Sequence, residues 1–393
     1  MDTGCATTGR IFKKVTILED EIVMSESENK KIITALSLQG GGALGAYEYG
    51  VLKALFSVRG KNFFPKVVSG VSIGAINAAI LVGAKEDPLA TLDKLWRERF
   101  CVTWPMYSWL PSFAFFPPGV PRPLADISEQ NLSVLGNPGM YRLKQEFLSA
   151  PFFAPSQTSS IYDTDLLKET LTEFVDPDKL NQPEKTRLIV TAVNVRTGEY
   201  AKFDNSKTTL TLDHIIASGS FPVTFPMTKI DGDYYWDGGI FLNMPLGVAV
   251  NALEQVEPDN PDIEREVIMI ALHRMSGALP RTLADASERF YNLLFSSKFA
   301  TDSKLFNKYG TFVDLMQKID KSLPADSPIR DHEGYKDLIR HRKIDRALVI
   351  GETGAGAFGS GSDFSRKTLN RRIEDGFNDA MAYFTSDREK GLA

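Results

Sequence analysis

Three glycine-bearing stretches of the chain hold groups that could make and break an acyl bond: Gly40-Gly41-Gly42, Gly70-Val71-Ser72-Ile73-Gly74 and Asp237-Gly238-Gly239. Ser72 lies between an apolar stretch, Lys66-Val67-Val68-Ser69, and a helical one from Ala75 to Val82. That is the strand-turn-helix setting of a nucleophile elbow, in which the serine is lifted clear of the sheet. Gly70 and Gly74 permit the sharp backbone and the close approach of a neighbouring strand. The pentapeptide alone recurs by chance, so its context carries the meaning.

An acyl-transfer nucleophile needs donors for the developing oxyanion. Gly40, Gly41 and Gly42, with the Ala43 amide, offer backbone N–H groups free of side-chain obstruction between a predicted strand, Ile32 to Leu38, and a predicted helix, Leu44 to Phe56. The same glycines with Gly45 satisfy the dinucleotide fingerprint G-x-G-x-x-G. That reading needs an acidic residue at the end of the next strand, and Phe56 to Ala84 contains neither Asp nor Glu. The runs Met227–Ile230 and Tyr234–Trp236 flank Asp231-Gly232-Asp233, a hairpin signal that sets Asp237 at the end of a returning strand. In isolation Asp-Gly-Gly is a turn without chemistry. Beside an elbow serine, a carboxylate bonded to the hydroxyl can serve as its general base.

Taken together, these motifs make the chain resemble the patatin-like lipid acyl hydrolases. Leu38-Gln39-Gly40-Gly41-Gly42-Ala43-Leu44-Gly45 is similar to the family's oxyanion loop, Gly70 to Gly74 to its elbow, and Asp237-Gly238-Gly239 to the aspartate turn of its Ser-Asp dyad. Leu188 to Gly198, His214 to Ser220 with Phe221-Pro222 and Phe225-Pro226, and Asn243 with Pro245 fall where the family has a sheet strand, a helix with a proline-bearing exit and the turn after the aspartate. The resemblance covers residues 31–255. It implies an α/β protein with a three-layer α/β/α fold around a mostly parallel sheet, cleavage of acyl esters in lipids, and no metal or organic cofactor. It assigns Ser72 and Asp237 to catalysis, Gly40, Gly41, Gly42 and Ala43 to the oxyanion hole, and Gly70, Gly74, Gly238 and Gly239 to motif support. The family commonly carries Arg or Lys before the last loop glycine, where this chain has Leu44. Without that cation, neutral acyl esters become a substrate class alongside phospholipids.

His273 offers a second mechanism with the same nucleophile. Ser72, Asp237 and His273 follow the chain order of an α/β-hydrolase triad, with His273 just after a predicted strand, Glu266 to Leu272. The resemblance favours the dyad. Two further alternatives are an acyltransferase using an alcohol acceptor and a lipid-binding module with a relic site.

A net charge of −5 speaks against nucleic acid, and two cysteines, Cys5 and Cys101, cannot build a disulfide framework. The longest apolar run, Gly74 to Ala84, is too short to span a bilayer. With no secretory signal at the start, the expected location is cytoplasmic, with reversible contact at a membrane surface.

Residues 1–30 read as a loose arm, 31–255 as the catalytic core and 256–393 as an extension packed on it. Residues 100–123 interleave Phe100, Trp104, Tyr107, Trp109, Phe113, Phe115 and Phe116 with six prolines, a density that forbids a regular helix. This insertion is expected to cover an acyl pocket at the lipid interface or to fold onto the core as an aromatic cluster. Ser287 to Gly310 and Thr311 to Ile319 read as two helical pieces. The basic cluster Arg340, Arg342, Lys343 and Arg346 reads as a solvated face.

Overall fold

The computed structural model describes residues 30–60, 62–103, 133, 136–149, 156, 158–351 and 361–389. The expected N-terminal arm, most of the aromatic and proline-rich insertion, and the glycine-rich stretch at 352–360 lie outside the described residues.

Eight strands form one sheet: β1 (Lys31–Leu38), β2 (Val67–Gly70), β3 (Arg187–Asn194), β4 (Tyr200–Asp204), β5 (Thr228–Ile230), β6 (Asp233–Asp237), β7 (Ile263–Ala271) and β8 (Arg346–Gly351). Their order is β8-β7-β1-β2-β3-β6-β5, with β4 also paired to β3. The pairs from β8 to β3 are parallel and those made by β4, β5 and β6 are antiparallel. Asp231 and Gly232 both take positive φ, as the tight turn between β5 and β6 demands.

Alternation along the strands sorts side chains to two faces. Leu36, Leu38, Val68, Val190, Ile268 and Ile270 pack on one side, against α1 (Gly45–Arg59), α2 (Ile73–Gly83) and the C-terminal helix. Ile33, Ala35, Val67, Ile189, Val267 and Met269 pack on the other, against a helix at Leu246–Glu254 and aromatic residues of a long helix beyond it. The result is the expected three-layer α/β/α arrangement around a mostly parallel sheet.

β3 works as a ruler for the site. Val190 pairs with Gly70 on one edge and Phe203 on the other, while Ala192 pairs with Asp237 and Ala201. The ends of β2 and β6 therefore abut along the same edge of β3, two residues or roughly 7 Å apart in register. The chain following β2 reaches Ser72 at that junction, just where β6 ends in Asp237.

Beyond residue 255 the structure corrects one expectation. The two predicted helical pieces are a single 40-residue helix, Leu283–Ser322, running straight through Gly310. Its Thr282 and Asp285 form a capping box at the start, and its inner face packs Phe299 and Phe306 onto the sheet. One interior glycine costs about 1 kcal/mol, which this packing offsets. The basic cluster is distributed among acidic partners: Arg340 with Asp337, Arg342 with Asp259, Lys343 with Asp314, and Arg346 with Glu264 and Glu266.

The C-terminal helix, Arg366–Glu389, lies against α1 at backbone contact. A Cβ at Gly50 would overlap the Ile373 carbonyl, and one at Gly376 the Tyr47 carbonyl. Gly376→Val should therefore cost about 2 kcal/mol through overpacking, measured as a lowered urea midpoint with unchanged slope. An unchanged midpoint would show that the two helices are not in register at these glycines.

Candidate active site

Ser72 is the N-cap of α2, yet its hydroxyl does not cap the helix. Its backbone sits at φ 56°, a strained value for a non-glycine residue. The strain is held by tight neighbours. A Cβ on Gly74 would fall 2.6 Å from the Leu38 carbonyl, and one on Gly70 would fall 2.5 Å from the Gly74 carbonyl. The serine amide donates to the Ser218 carbonyl at 3.1 Å and its hydroxyl at 3.0 Å. Two residues later, the Ser220 carbonyl accepts from the Asp237 amide at 2.9 Å. The exit of the helix Leu212–Ser218 thus ties down both chemical residues.

Asp237 is 1% exposed. Burial pushes its carboxyl up to about 7, while the neighbouring Ser72 hydroxyl and the Gly239 amide pull it back part of the way. The Gly239 bond measures 2.7 Å. Gly238 has no room for a side chain, because a Cβ there would fall 2.6 Å from the Thr191 carbonyl on β3.

The glycine loop reaches the same point. A Cβ on Gly40 would stand 3.0 Å from Ser72 Cβ and overlap Asn243 Oδ1. Asn243 braces the loop twice: its carbonyl accepts from the Gly40 amide at 3.2 Å, and its Nδ2 donates to the Gly40 carbonyl at 2.8 Å. The Ala43 amide donates to the Gly361 carbonyl at 2.7 Å. Of the four loop amides that the sequence offers, those of Gly40 and Ala43 are therefore already engaged. Those of Gly41 and Gly42 have no acceptor among the described residues. Gly42 has φ +57°, and a Cβ there would overlap the Gly361 carbonyl.

His273 does not meet Ser72. Its Nε2 lies 2.9 Å from the Gly40 carbonyl oxygen and its Nδ1 3.1 Å from Asn292 Oδ1, so a neutral ring that donates to Gly40 requires the Asn292 amide to turn its nitrogen toward Nδ1. A carbonyl only accepts, so Nε2 carries the proton and is spent on the loop. Burial also pushes the imidazole below its ordinary range. This removes the geometric basis for a Ser-His-Asp triad.

These groups line one cavity of about 590 Å³. One side is apolar, with Ile76, Met140, Leu167, Ile216, Phe225 and Phe364; the other is formed by the long helix, with Glu288, Tyr291, Asn292 and Phe295. Tyr141, Tyr162 and Phe225 cluster in the apolar wall with ring centroids 4.8–6.1 Å apart. Leu44 lines it too, and the charged lining residues among those described are all acidic: Asp237, Asp285 and Glu288. A cavity of about 620 Å³ beside Arg187 and His341 holds no hydroxyl or thiol nucleophile; in it Arg187 pairs with Asp204 and His341 bonds Glu254, with Lys202 and Lys207 also in the lining. Among the described residues no cluster of three His, Cys, Asp or Glu side chains could hold a metal ion.

Sequence reasoning missed the roles of Ser218, Ser220 and Gly361; from the long helix it offers Phe290, Leu293, Leu294 and Phe299 as core or pocket residues, whereas Glu288, Tyr291, Asn292 and Phe295 line the cavity. Their contacts span up to several hundred residues of chain, and no local motif marks them.

Comparison with known proteins gives a family model described as "Patatin-like phospholipase", matching residues 36–250. Triacylglycerol lipase 4 of Saccharomyces cerevisiae is 43% identical over 68 residues, 17% of this chain. The chain spans about 7% of the length of that curated relative. Among solved structures, VipD from Legionella pneumophila aligns over 91% of this chain and 67% of its own, with a TM-score of 0.41 and 15% identity. ExoU in the ExoU-SpcU complex from the type III secretion system of Pseudomonas aeruginosa aligns over 90% and 52%, with a TM-score of 0.32 and 15% identity.

The bond from His273 to Gly40 makes a prediction independent of activity. Nitrogen-15 spectra should show the His273 ring as the Nε2–H tautomer, neutral to below its ordinary titration range. A ring that titrates normally, or that carries its proton on Nδ1, would overturn this assignment.

Proposed function

For this chain, which belongs to the patatin-like phospholipase family, we propose the activity of a serine lipid acyl hydrolase working through Ser72 and Asp237. Ser72 Oγ attacks the ester carbonyl as Asp237 takes the hydroxyl proton. The tetrahedral oxyanion accepts hydrogen bonds from the Gly41 and Gly42 amides at the start of α1. Collapse of this intermediate expels the alcohol, which recovers the proton from Asp237. Water then adds to the acyl-enzyme with Asp237 again as base, and the acid leaves as Ser72 is restored.

One observation carries this reading: the buried Asp237 carboxyl adjoins an elbow serine whose neighbouring loop keeps two amides uncommitted. A base titrating near 7 combines a large ionised fraction at neutral pH with useful proton affinity. The apolar wall suits an acyl chain. Leu44, together with Asp285 and Glu288 on the far side, disfavours an anionic head group and supports neutral or zwitterionic acyl esters as substrates. The extension at 256–393 contributes to the same site through His273, the long helix and Gly361, which supports treating it as part of the catalytic unit.

Ser72→Ala and Asp237→Asn should each reduce ester turnover by at least about a thousandfold, and the double substitution little further, since groups acting as a unit fail together. Mass-spectrometric product analysis across neutral, zwitterionic and anionic acyl esters provides the measurement. Near-normal turnover by Asp237→Asn would refute the dyad.

The raised Asp237 carboxyl also fixes the sign of two pH effects. Activity needs the ionised base, so kcat/KM should fall as pH drops through about 7. Stability runs the other way. The buried neutral acid is favoured, so its contribution is full below the ordinary carboxylate range and is lost as pH rises through about 7. Asp237→Asn should accordingly be more stable than the parent at pH 8, by the order of 1 kcal/mol or more, in thermal or denaturant unfolding. A destabilised variant would contradict the burial argument.

A further inference from the structure

We infer that the rim of the cavity and the solvent face of the long helix Leu283–Ser322 form a docking surface for a lipid bilayer. This reaches beyond the reaction at Ser72 and concerns where the protein meets its substrate phase.

Three separate elements set exposed apolar side chains beside the cavity. Val223 is 66% exposed, between the lining residues Phe221 and Thr224. It is a β-branched residue at φ 69°, a conformation costing about 1–2 kcal/mol, so a strained backbone holds an apolar group toward solvent. Phe241 is 48% exposed, just after the Asp237 turn, where Lys298 of the long helix donates to the Ile240 carbonyl. Phe290 is 61% exposed and its ring stands 5.5 Å from that of the lining residue Tyr291. Tyr291 in turn meets Phe221 at 6.1 Å, which closes the chain of contacts back toward Val223.

Farther along the helix a second exposed apolar group shares the face of Phe290, beyond an exposed polar stretch that holds Ser297, Thr301, Lys304 and Lys308. Phe312, Leu315 and Ile319 follow Phe290 at helical spacing, and all four are exposed. The two apolar groups stand about 33 Å apart along the helix at 1.5 Å per residue. The inner face is already buried through Phe295, Phe299 and Phe306. The exposed apolar groups toward both ends of this outer face are therefore surplus to folding, and with the apolar rim of the cavity they mark an interaction face.

Charge identifies the occupant. Lys304 and Lys308 sit on this outer face, near the midpoint of the helix, and form no ion pair with the described residues. A second copy packing by two-fold symmetry would bring these lysines against their own counterparts. At a bilayer the lysine stems lie on apolar surface while the ammonium groups reach lipid phosphates, and the aromatic rings enter the boundary with the acyl chains. The cavity mouth then opens onto the membrane.

Vesicle co-sedimentation of the full chain carrying Ser72→Ala tests this without turnover, using phosphatidylcholine vesicles with and without phosphatidylserine. Phe290→Ser, Phe312→Ser and Leu315→Ser combined should lower partitioning at least about tenfold. Lys304→Glu with Lys308→Glu should remove the gain given by phosphatidylserine. Near-ultraviolet circular dichroism checks folding, and in the Ser72 background the triple variant should cleave a short soluble ester at the parent rate. Absence of parent binding, or unchanged partitioning of the folded triple variant, would overturn the inference. So would a dimer in light scattering that these substitutions dissolve, since that would assign the face to a second copy. Vesicle binding without ester turnover by the Ser72 protein would refute the proposed reaction and leave the docking surface standing.

Discussion

The buried carboxyl of Asp237 is the constraint around which the site is built. Raising it from the ordinary aspartate range to about 7 corresponds to roughly 4 kcal/mol held against its ionised form. A solvated carboxylate would relax this strain and would be a weaker base. Maintaining it requires excluded water, few donors to the carboxylate beyond the Gly239 amide and the neighbouring Ser72 hydroxyl, and a backbone that cannot shift outward. Gly238 meets the last requirement by leaving no side chain to push the turn away from Thr191 on β3, and Gly239 by leaving none against Asn243 and the Asp237 carboxylate.

The rest of the site is cross-tied to that point by backbone hydrogen bonds. Ser218 holds Ser72, Ser220 holds Asp237, Asn243 holds Gly40, and Gly361 holds Ala43. Each tie spends a donor or acceptor that could otherwise face the substrate. The amides left uncommitted are thereby selected, and the loop donors reduce to Gly41 and Gly42. His273 completes the bracing. The ring placed by chain order as a candidate base instead donates to the Gly40 carbonyl, which makes it a support for the loop.

The same economy appears in the cavity beside Ser72. One wall comes from α2 and the aromatic cluster around Tyr141, and the other from the long helix beyond residue 280. That helix buries its inner face on the sheet and leaves apolar groups exposed outward toward both ends, so one element connects the protein core, the cavity wall and the surface. A mutation on its inner face would alter packing and pocket shape together, whereas its outer residues can change without disturbing either.

The sequence determined the local pieces because each depends on contacts within a few residues. The elbow at Ser72, the glycine loop, and the Asp-Gly hairpin delivering Asp237 are local backbone solutions written in glycine positions and alternating apolar runs. Apolar periodicity likewise marked most sheet strands, and the motif order pointed to the three-layer fold. The unbroken run through Gly310 was illegible because an interior glycine is a local penalty that long-range packing overrides. The meeting of Ser72 with Asp237, the choice of free amides, the fate of His273 and the pocket walls were decided by tertiary structure. These depend on the register of β2 and β6 along one edge of β3, and on bonds joining residues as distant as Ala43 and Gly361. Such pairings are fixed by the cooperative packing of the whole sheet and leave no period or motif in the chain.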